Sequence, residues 1–182
     1  MALTSTVYHL LIDLSDLDRQ VYASLDLRVA RHPSETMRYM LTRVVAYCLC
    51  YEEGIQFSKG GLSATDEPPL MVRDLRGDLQ VVIEIGTPAA DRLHRMSKSA
   101  PRTVVYTHND VAQLQKAVSK KVIHRLADIE VYALAPSFLD ALAEATERTS
   151  TWSLVLTEGQ LYVTVGEKSV AGTVTRHTLE GA

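Results

Sequence analysis

Three apolar segments alternate with two helical segments in the middle of the chain, and this order constrains the fold more than any other feature. The apolar segments LQVVIEIG (residues 79–86), RTVVYT (102–107) and IEVYAL (129–134) are short and rich in β-branched residues, as buried strands are. Between them, residues 87–100 and about 110–125 repeat apolar side chains at helical spacing, and Thr87-Pro88 is typical of a helix start. This order predicts parallel strands joined by crossover helices.

Antiparallel segments are predicted on both sides of this middle. TVYHLLIDL and VYASLDLRVA alternate around residues 15–19, which is a hairpin pattern. WSLVLTEGQLYVTVG, with its turn at Glu158-Gly159, is a second hairpin, and residues 55–69 are predicted to be a loop. We therefore predict a single α/β domain over residues 1–182, in which helices flank a mixed β-sheet with antiparallel hairpins at both ends.

The composition excludes several classes of protein. The chain has 182 residues, 46% of them hydrophobic and 23% charged, as in globular proteins. No apolar run approaches the roughly 18–20 residues that cross a bilayer, and the N-terminal segment lacks the basic stretch of a signal peptide. Cys48 and Cys50, the only cysteines, lie two positions apart in a helical segment, which disfavours a disulfide or a zinc site. We expect a cytoplasmic protein with no membrane segment.

Charge is distributed unevenly along the chain. The net charge is -3, which disfavours nonspecific binding to nucleic acid, but residues 91–125 carry eight basic and two acidic groups. A basic segment of this kind is suited to binding phosphates. Solvated helix faces produce the same pattern, so both interpretations stay open.

Glu84 is the single carboxylate within the apolar run VVIEIG. An unpaired buried carboxylate is costly, so such a group has a partner, a metal ion or a raised pKa. If residues 74–77 (DLRG) form a two-residue hairpin turn, the residue numbers of each directly opposed pair add up to 151. Glu67 then lies opposite Glu84. Asp66 takes that place in a shifted register. Two opposed carboxylates indicate a divalent cation or a shared proton.

These acids also have a purely structural interpretation. In that interpretation, Glu67 is a loop residue and Glu84 forms an ion pair with an arginine, such as Arg31 or Arg92. Glu35, which we place in the first turn of the first long helix, is a candidate third carboxylate; compensation of the helix dipole is the alternative.

Lys59 lies in the loop SKGG, close in sequence to the predicted acids. A lysine beside two glycines allows backbone N–H groups and an ammonium group to contact one phosphate. The chain has no Gly-Lys-Ser/Thr string, so nucleotide hydrolysis of the P-loop type is excluded.

Several motifs in combination resemble the YaeQ family. They are ARHPSET, FSKGGLS, DEPPL, and IEIGTP followed by RLHRMSKSA and VVY. The resemblance covers nearly the whole chain. It implies a variant of the PD-(D/E)XK restriction-endonuclease-like fold, with an acidic cluster like the magnesium site of those nucleases.

The resemblance also implies roles for individual residues. Glu84 stands at the acid of the (D/E)XK tripeptide, whereas Gly86 stands at its lysine position. In some members of that superfamily the following helix supplies the lysine, and here Lys98 is the candidate, with Arg95 one turn earlier. Arg92 shares their helix face.

The Pro-Asp of the nuclease pattern is replaced by Pro68-Pro69, so Glu67 or Asp66 takes the role of the aspartate. These matches predict Mg²⁺-dependent phosphodiester hydrolysis of nucleic acid, with Mn²⁺ as a substitute metal; the alternative is a non-catalytic binding or regulatory protein on the same fold. The predicted site residues are the catalytic or metal-binding Glu84, Glu67, Asp66, Glu35 and Lys98, and the phosphate-binding Lys59, Arg92 and Arg95.

Overall fold

A computed structural model describes residues 4–60 and 66–180, so residues 61–65 of the predicted loop, which include the last three residues of FSKGGLS, lie outside it. The described residues form ten strands, four α-helices and one 3₁₀ helix. None of these helices is both long and apolar enough to cross a membrane. The chain divides into two compact units, the first made of Met1–Leu49 and Leu134–Val174 and the second of Cys50–Ala133 and Thr175–Ala182.

The elements follow one another in an order close to the predicted one. The strands are β1 (Thr6–Asp16), β2 (Val21–Arg31), β3 (Ile55–Phe57), β4 (Leu70–Arg73), β5 (Leu79–Ile85), β6 (Arg102–Thr107), β7 (Glu130–Leu134), β8 (Thr149–Thr157), β9 (Gln160–Val165) and β10 (Lys168–His177). The helices are α1 (Met37–Leu49), α2 (Ala90–Ser99), α3 (Val111–Val118) and α4 (Pro136–Ala145), with the 3₁₀ helix at Leu126–Asp128.

The first unit is built on antiparallel hairpins. β1 pairs antiparallel with β2 and parallel with β8, and β8, β9 and β10 pair antiparallel in turn. Buried side chains alternate along β1, because successive residues of a strand point to opposite faces. Gly172 in β10 allows a close approach to α4, since a Cβ atom there would lie 2.6 Å from the Phe138 ring. Both predicted terminal hairpins are confirmed.

The second unit contains the predicted β-α-β-α-β core. β3, β4 and β5 pair antiparallel, whereas β5, β6 and β7 pair parallel. α2 and α3 pack on one face of this sheet, where Leu93 and Leu114 join Val105 and Val131 in one apolar cluster. The mixed sheet with flanking helices is therefore confirmed.

Three predicted assignments of secondary structure are wrong. Ile55–Phe57 is a strand and not part of a loop, because three residues are too few to show the alternation of a strand in the sequence. α2 begins at Ala90 with Ala89 as its N-cap, and the Thr87 hydroxyl accepts a hydrogen bond from Asn109. α3 ends at Val118 and does not continue to Arg125, whose backbone is left-handed.

The predicted register between β4 and β5 is also wrong, by two residues. Val72 faces Val81, so the positions sum to 153 and not to 151. The turn is longer than predicted because Asp74 Oδ1 accepts from the N–H groups of Arg76 and Asp78, both at 2.9 Å. β4 begins only at Leu70, so Glu67 precedes the strand. Glu67 and Glu84 are therefore not a directly opposed pair.

Candidate functional site

Glu84 lies near the carboxyl end of the parallel strand β5, where it is paired in register with Val105 of β6. Only 2% of the residue is exposed. Val82, on the same side of β5, packs against Met96 of α2. Glu84 therefore faces the helical layer at the end of a parallel strand, which is where α/β proteins usually bind ligands.

One oxygen of the Glu84 carboxylate is held by α2. Arg92 Nε donates a hydrogen bond to Glu84 Oε2 over 2.9 Å, and Arg92 Nη2 donates to the main-chain oxygen of Glu67 over 2.8 Å. The interpretation in which Glu84 pairs with an arginine is thus confirmed for Arg92. Arg31 has a different partner, because its Nε donates to the main-chain oxygen of Glu35 over 2.8 Å.

The other oxygen, Glu84 Oε1, is buried and has no hydrogen-bond partner among the described residues. Burial raises the pKa of the Glu84 carboxyl above its ordinary value of 4.5, although the hydrogen bond and the charge of Arg92 and the charge of Arg95 lower it. A buried polar atom left without a partner costs about 1–3 kcal/mol. Such an atom marks a position that an ion or another ligand can occupy.

Glu35 provides a contrast in the first unit. Arg43 Nε donates to its Oε1 over 2.7 Å, and Arg43 Nη2 and the His32 N–H donate to its Oε2 over 2.9 and 3.1 Å. Glu35 precedes α1 by two residues, so its predicted place in the first helical turn is wrong. Its carboxylate is occupied as a structural ion pair, and its role as a metal ligand or a base stays a prediction.

Glu67 and Asp66 are exposed and lie just before β4. The Ser58 hydroxyl donates to Glu67 Oε2 over 2.9 Å and joins this segment to the end of β3. Lys59 is the next residue and is exposed. Glu67 and Lys59 line a cleft of about 290 Å³ along β3 and β4. The sequence carries no signal for the role of Ser58, because nothing marks the three-residue strand before it.

The three predicted cations of α2 take different positions. Arg92 is half-buried and contacts the acid. Arg95 is exposed, and its charge acts on the Glu84 carboxyl. Lys98 is exposed near the carboxyl end of α2. The residue that contacts Glu84 is therefore Arg92, and the predicted role of Lys98 stays a prediction.

A magnesium ion fits this site only in part. Within residues 4–60 and 66–180, no three His, Cys, Asp or Glu side chains are grouped so that they could hold a metal ion. Mg²⁺, however, commonly binds one or two carboxylates and completes its shell with water and substrate phosphates. The unpartnered Oε1 of Glu84 fits one such carboxylate position, so the residues fit a site that a phosphate ligand completes.

These features define an α/β protein with a mixed sheet and a buried acid at the end of a parallel strand. The family model described as "YaeQ protein" matches residues 1–174, and the chain belongs to this family. The YaeQ protein of Salmonella typhi is 30% identical to it over 164 residues, and that of Escherichia coli strain K12 is 29% identical; each alignment covers 90% of both chains.

Solved structures of the family have the same fold. The crystal structure of YaeQ from Pseudomonas syringae is similar with a TM-score of 0.87 and 33% identity, over 96% of each chain. The YaeQ structure from Xanthomonas axonopodis pv. citri gives a TM-score of 0.84 and 28% identity, over 96% of this chain and 99% of that one.

Proposed function

We propose that this YaeQ-family chain hydrolyses phosphodiester bonds of nucleic acid with the help of Mg²⁺, and that Glu84 is its principal metal ligand. The supporting observation is the Oε1 atom of Glu84, which is buried and accepts no hydrogen bond from the described residues. Glu35, by comparison, has both oxygens bonded by Arg43. A divalent cation beside Oε1 offsets the cost of keeping this carboxylate charged in a buried position.

Arg92 positions the two candidate ligands relative to each other. Its Nε fixes Oε2 of Glu84, so Oε1 of the same carboxylate would remain for an ion. Its Nη2 holds the main-chain oxygen of Glu67, whose exposed carboxylate supplies the second ligand of the proposed site. Asp66, adjacent and also exposed, is the alternative second ligand.

Phosphodiester hydrolysis needs a water molecule and a positive environment for the phosphate. A Mg²⁺ ion held by Glu84 and Glu67 would supply Lewis acidity, which activates water and offsets the charge of the phosphate. Arg95, Lys98 and Lys59 are exposed cations that hold the phosphate and stabilise the negative charge of the transition state. The water oxygen would bond to phosphorus as the bond to the leaving sugar oxygen breaks, and the proton lost by the water would be taken up by that sugar oxygen, which gives a phosphomonoester and an alcohol.

A second candidate function is binding of nucleic acid without cleavage. Two observations favour it: Arg92 already pairs with Glu84, and the lysine position of the tripeptide is occupied by Gly86. In this alternative the buried acid is structural, and the same cations bind phosphate without assisting chemistry.

A cleavage assay separates the two functions. Single-stranded and duplex DNA and RNA are incubated with Mg²⁺, Mn²⁺ or EDTA, for the wild type, Glu84→Gln and the matched control Glu52→Gln. Glu52 is exposed and lies in the same unit, so its substitution also removes one charge. We expect metal-dependent cleavage by the wild type and the control, and at least about a hundredfold less by Glu84→Gln. If the chain binds nucleic acid but cleaves none of the four substrates, the second candidate function is favoured.

A further inference from the structure

A cleft of about 290 Å³ lies beside the acidic site, along β3 and β4. Residues of β3, of β4 and of the segments that follow β3 and precede β4 form its wall; they are Gln56, Phe57, Lys59, Glu67, Met71 and Arg73. The proposed hydrolysis uses only Glu67 and Lys59 from this set, so the cleft itself requires a separate explanation.

Strand register places Gln56 and Met71 on the same face of the sheet as Glu84, whereas Phe57, which pairs with Leu70, lies on the other face, so the cleft opens at the edge strand β3. Gln56 of β3 faces Met71 of β4, and Met71 faces Val82 of β5. Glu84 follows Val82 by two residues and so lies on the same side of β5. A ligand in the cleft therefore approaches the sheet face on which the acid lies.

Arg92 joins the cleft directly to the acid. One guanidinium nitrogen bonds Glu84 and another bonds the main-chain oxygen of Glu67, whose residue lines the cleft. One side chain thus reaches from the carboxylate to the cleft wall. A nucleotide in the cleft would have its phosphate close to Glu84.

The chemistry of the lining favours a nucleobase over a bare phosphate. Phe57 is half-buried on the edge strand β3 and supplies an aromatic ring on which a base packs, whereas Met71 is buried at the bottom of the cleft. Gln56 is half-buried and carries both a donor and an acceptor for the edge of a base. Lys59 and Arg73 add positive charge for the attached phosphate, as in proteins that bind single strands.

The size of the cleft limits what can enter it. Its volume of about 290 Å³ lies just below the range of about 300–1,000 Å³ for small-molecule sites. A single nucleotide has this scale, whereas a base within a duplex is stacked and paired and must leave the helix to enter. We infer that the cleft receives one unpaired base, so that the ligand is single-stranded nucleic acid. This inference takes one point from the proposed function, namely that the ligand is a nucleic acid.

Binding in metal-free buffer tests the inference without any cleavage. The affinity of the wild-type chain for a fluorescent single strand of about twelve nucleotides is measured by anisotropy in EDTA, beside the duplex of the same sequence. A strand of the same length and charge in which every residue is abasic is measured as the comparison. We expect the duplex and the abasic strand each to bind about tenfold more weakly than the single strand, because neither offers an unpaired base that can stack in the cleft.

Variants connect the effect to the cleft. Gln56→Leu removes the amide at nearly constant volume, and Lys59→Ala removes the cation. Lys168→Ala is the matched control, since Lys168 is exposed and lies outside the basic segment of residues 91–125. We expect about fivefold weaker binding for Gln56→Leu and Lys59→Ala, and little change for Lys168→Ala. Gln56→Leu should also bring the affinities for the single strand and the abasic strand closer together.

Equal affinity for duplex and single strand, or for the single strand and the abasic strand, would overturn the inference. If Gln56→Leu leaves the ratio of the affinities for the single strand and the abasic strand unchanged, the assignment to this cleft is overturned. All of these binding measurements exclude divalent metal, so their outcome does not depend on hydrolysis. Base-dependent binding without cleavage in Mg²⁺ would contradict only the proposed hydrolysis. Cleavage in Mg²⁺ without base-dependent binding would contradict only the role of the cleft.

Discussion

Replacing Glu84 with glutamine should stabilise the chain in metal-free buffer. Residue Glu84 is 2% exposed, and only one of its carboxylate oxygens has a hydrogen-bond partner among the described residues. Glutamine keeps the volume and an oxygen that accepts from Arg92 Nε, but it removes the negative charge from the buried site. Since burial disfavours the charged form more than Arg92 favours it, the neutral side chain is the more stable one.

The expected gain is modest. A buried polar atom without a partner costs about 1–3 kcal/mol, and the new amide N–H₂ group is itself left without an acceptor. We therefore expect about 1 kcal/mol of added stability, which raises the Tm by about 3 °C in a chain of this size. Glu35→Gln is the contrasting variant, because it breaks a buried two-point pair with Arg43 and should cost about 3 kcal/mol.

The gain should depend on pH in a defined direction. The pKa of Glu84 is raised in the folded state above its ordinary value of 4.5, so the folded chain binds this proton more tightly than the unfolded chain. The free energy of unfolding therefore falls as pH rises from the unfolded pKa through the folded pKa. The advantage of Glu84→Gln should be absent below about pH 4 and complete above the folded pKa.

Urea unfolding of the wild type and Glu84→Gln between pH 4 and pH 8 in EDTA measures this difference. Exposed Glu52→Gln is the control for the loss of one charge. A lower free energy of unfolding for Glu84→Gln at neutral pH would refute the reasoning, because it would show that the Arg92 pair stabilises the fold more than burial of the charge destabilises it.

Three further predictions follow from the contacts around the site. Mn²⁺ with a short phosphodiester should raise the Tm of the wild type and not of Glu84→Gln, because only the wild type offers the charged ligand; equal shifts in thermal melts would contradict this. Arg92→Ala should cost about 3 kcal/mol in urea unfolding, because Glu84 is left buried without its counter-charge, whereas exposed Arg95→Ala should change stability little. Gly54→Ala should lower the Tm by several degrees, because the backbone has φ of +90° and the new Cβ would lie 2.0 Å from the main-chain oxygen of Arg73.

The fold was predictable wherever a segment was long enough to show the spacing of apolar residues that is typical of a helix or a strand. The β-α-β-α-β core and both terminal hairpins were predicted from alternation and helical spacing alone, and the buried position of Glu84 followed from the apolar run around it. The strand Ile55–Phe57 was not predictable, because three residues show no period and its pairing with β4 is a tertiary contact.

The arrangement of the site was predictable only in part. The register of β4 and β5 depends on the Asp74 carboxylate, which binds two N–H groups and lengthens the turn, and a count of residues does not detect this. The contact between Glu84 and Arg92 depends on how the loop after β5 positions α2 against the sheet. The sequence therefore offered Arg92 as one of two candidate arginines, and only the structure distinguished them.

Anomalous diffraction from crystals grown with Mn²⁺ and a short, non-hydrolysable phosphodiester oligonucleotide tests the role of Glu84 most directly. We predict one anomalous peak about 2.1 Å from Glu84 Oε1, bridging to a phosphate oxygen, with Arg92 still bonded to Oε2. The peak should be absent from crystals of Glu84→Gln. An ordered water at Oε1 with no anomalous signal, while the oligonucleotide is bound, would contradict a metal site at this carboxylate.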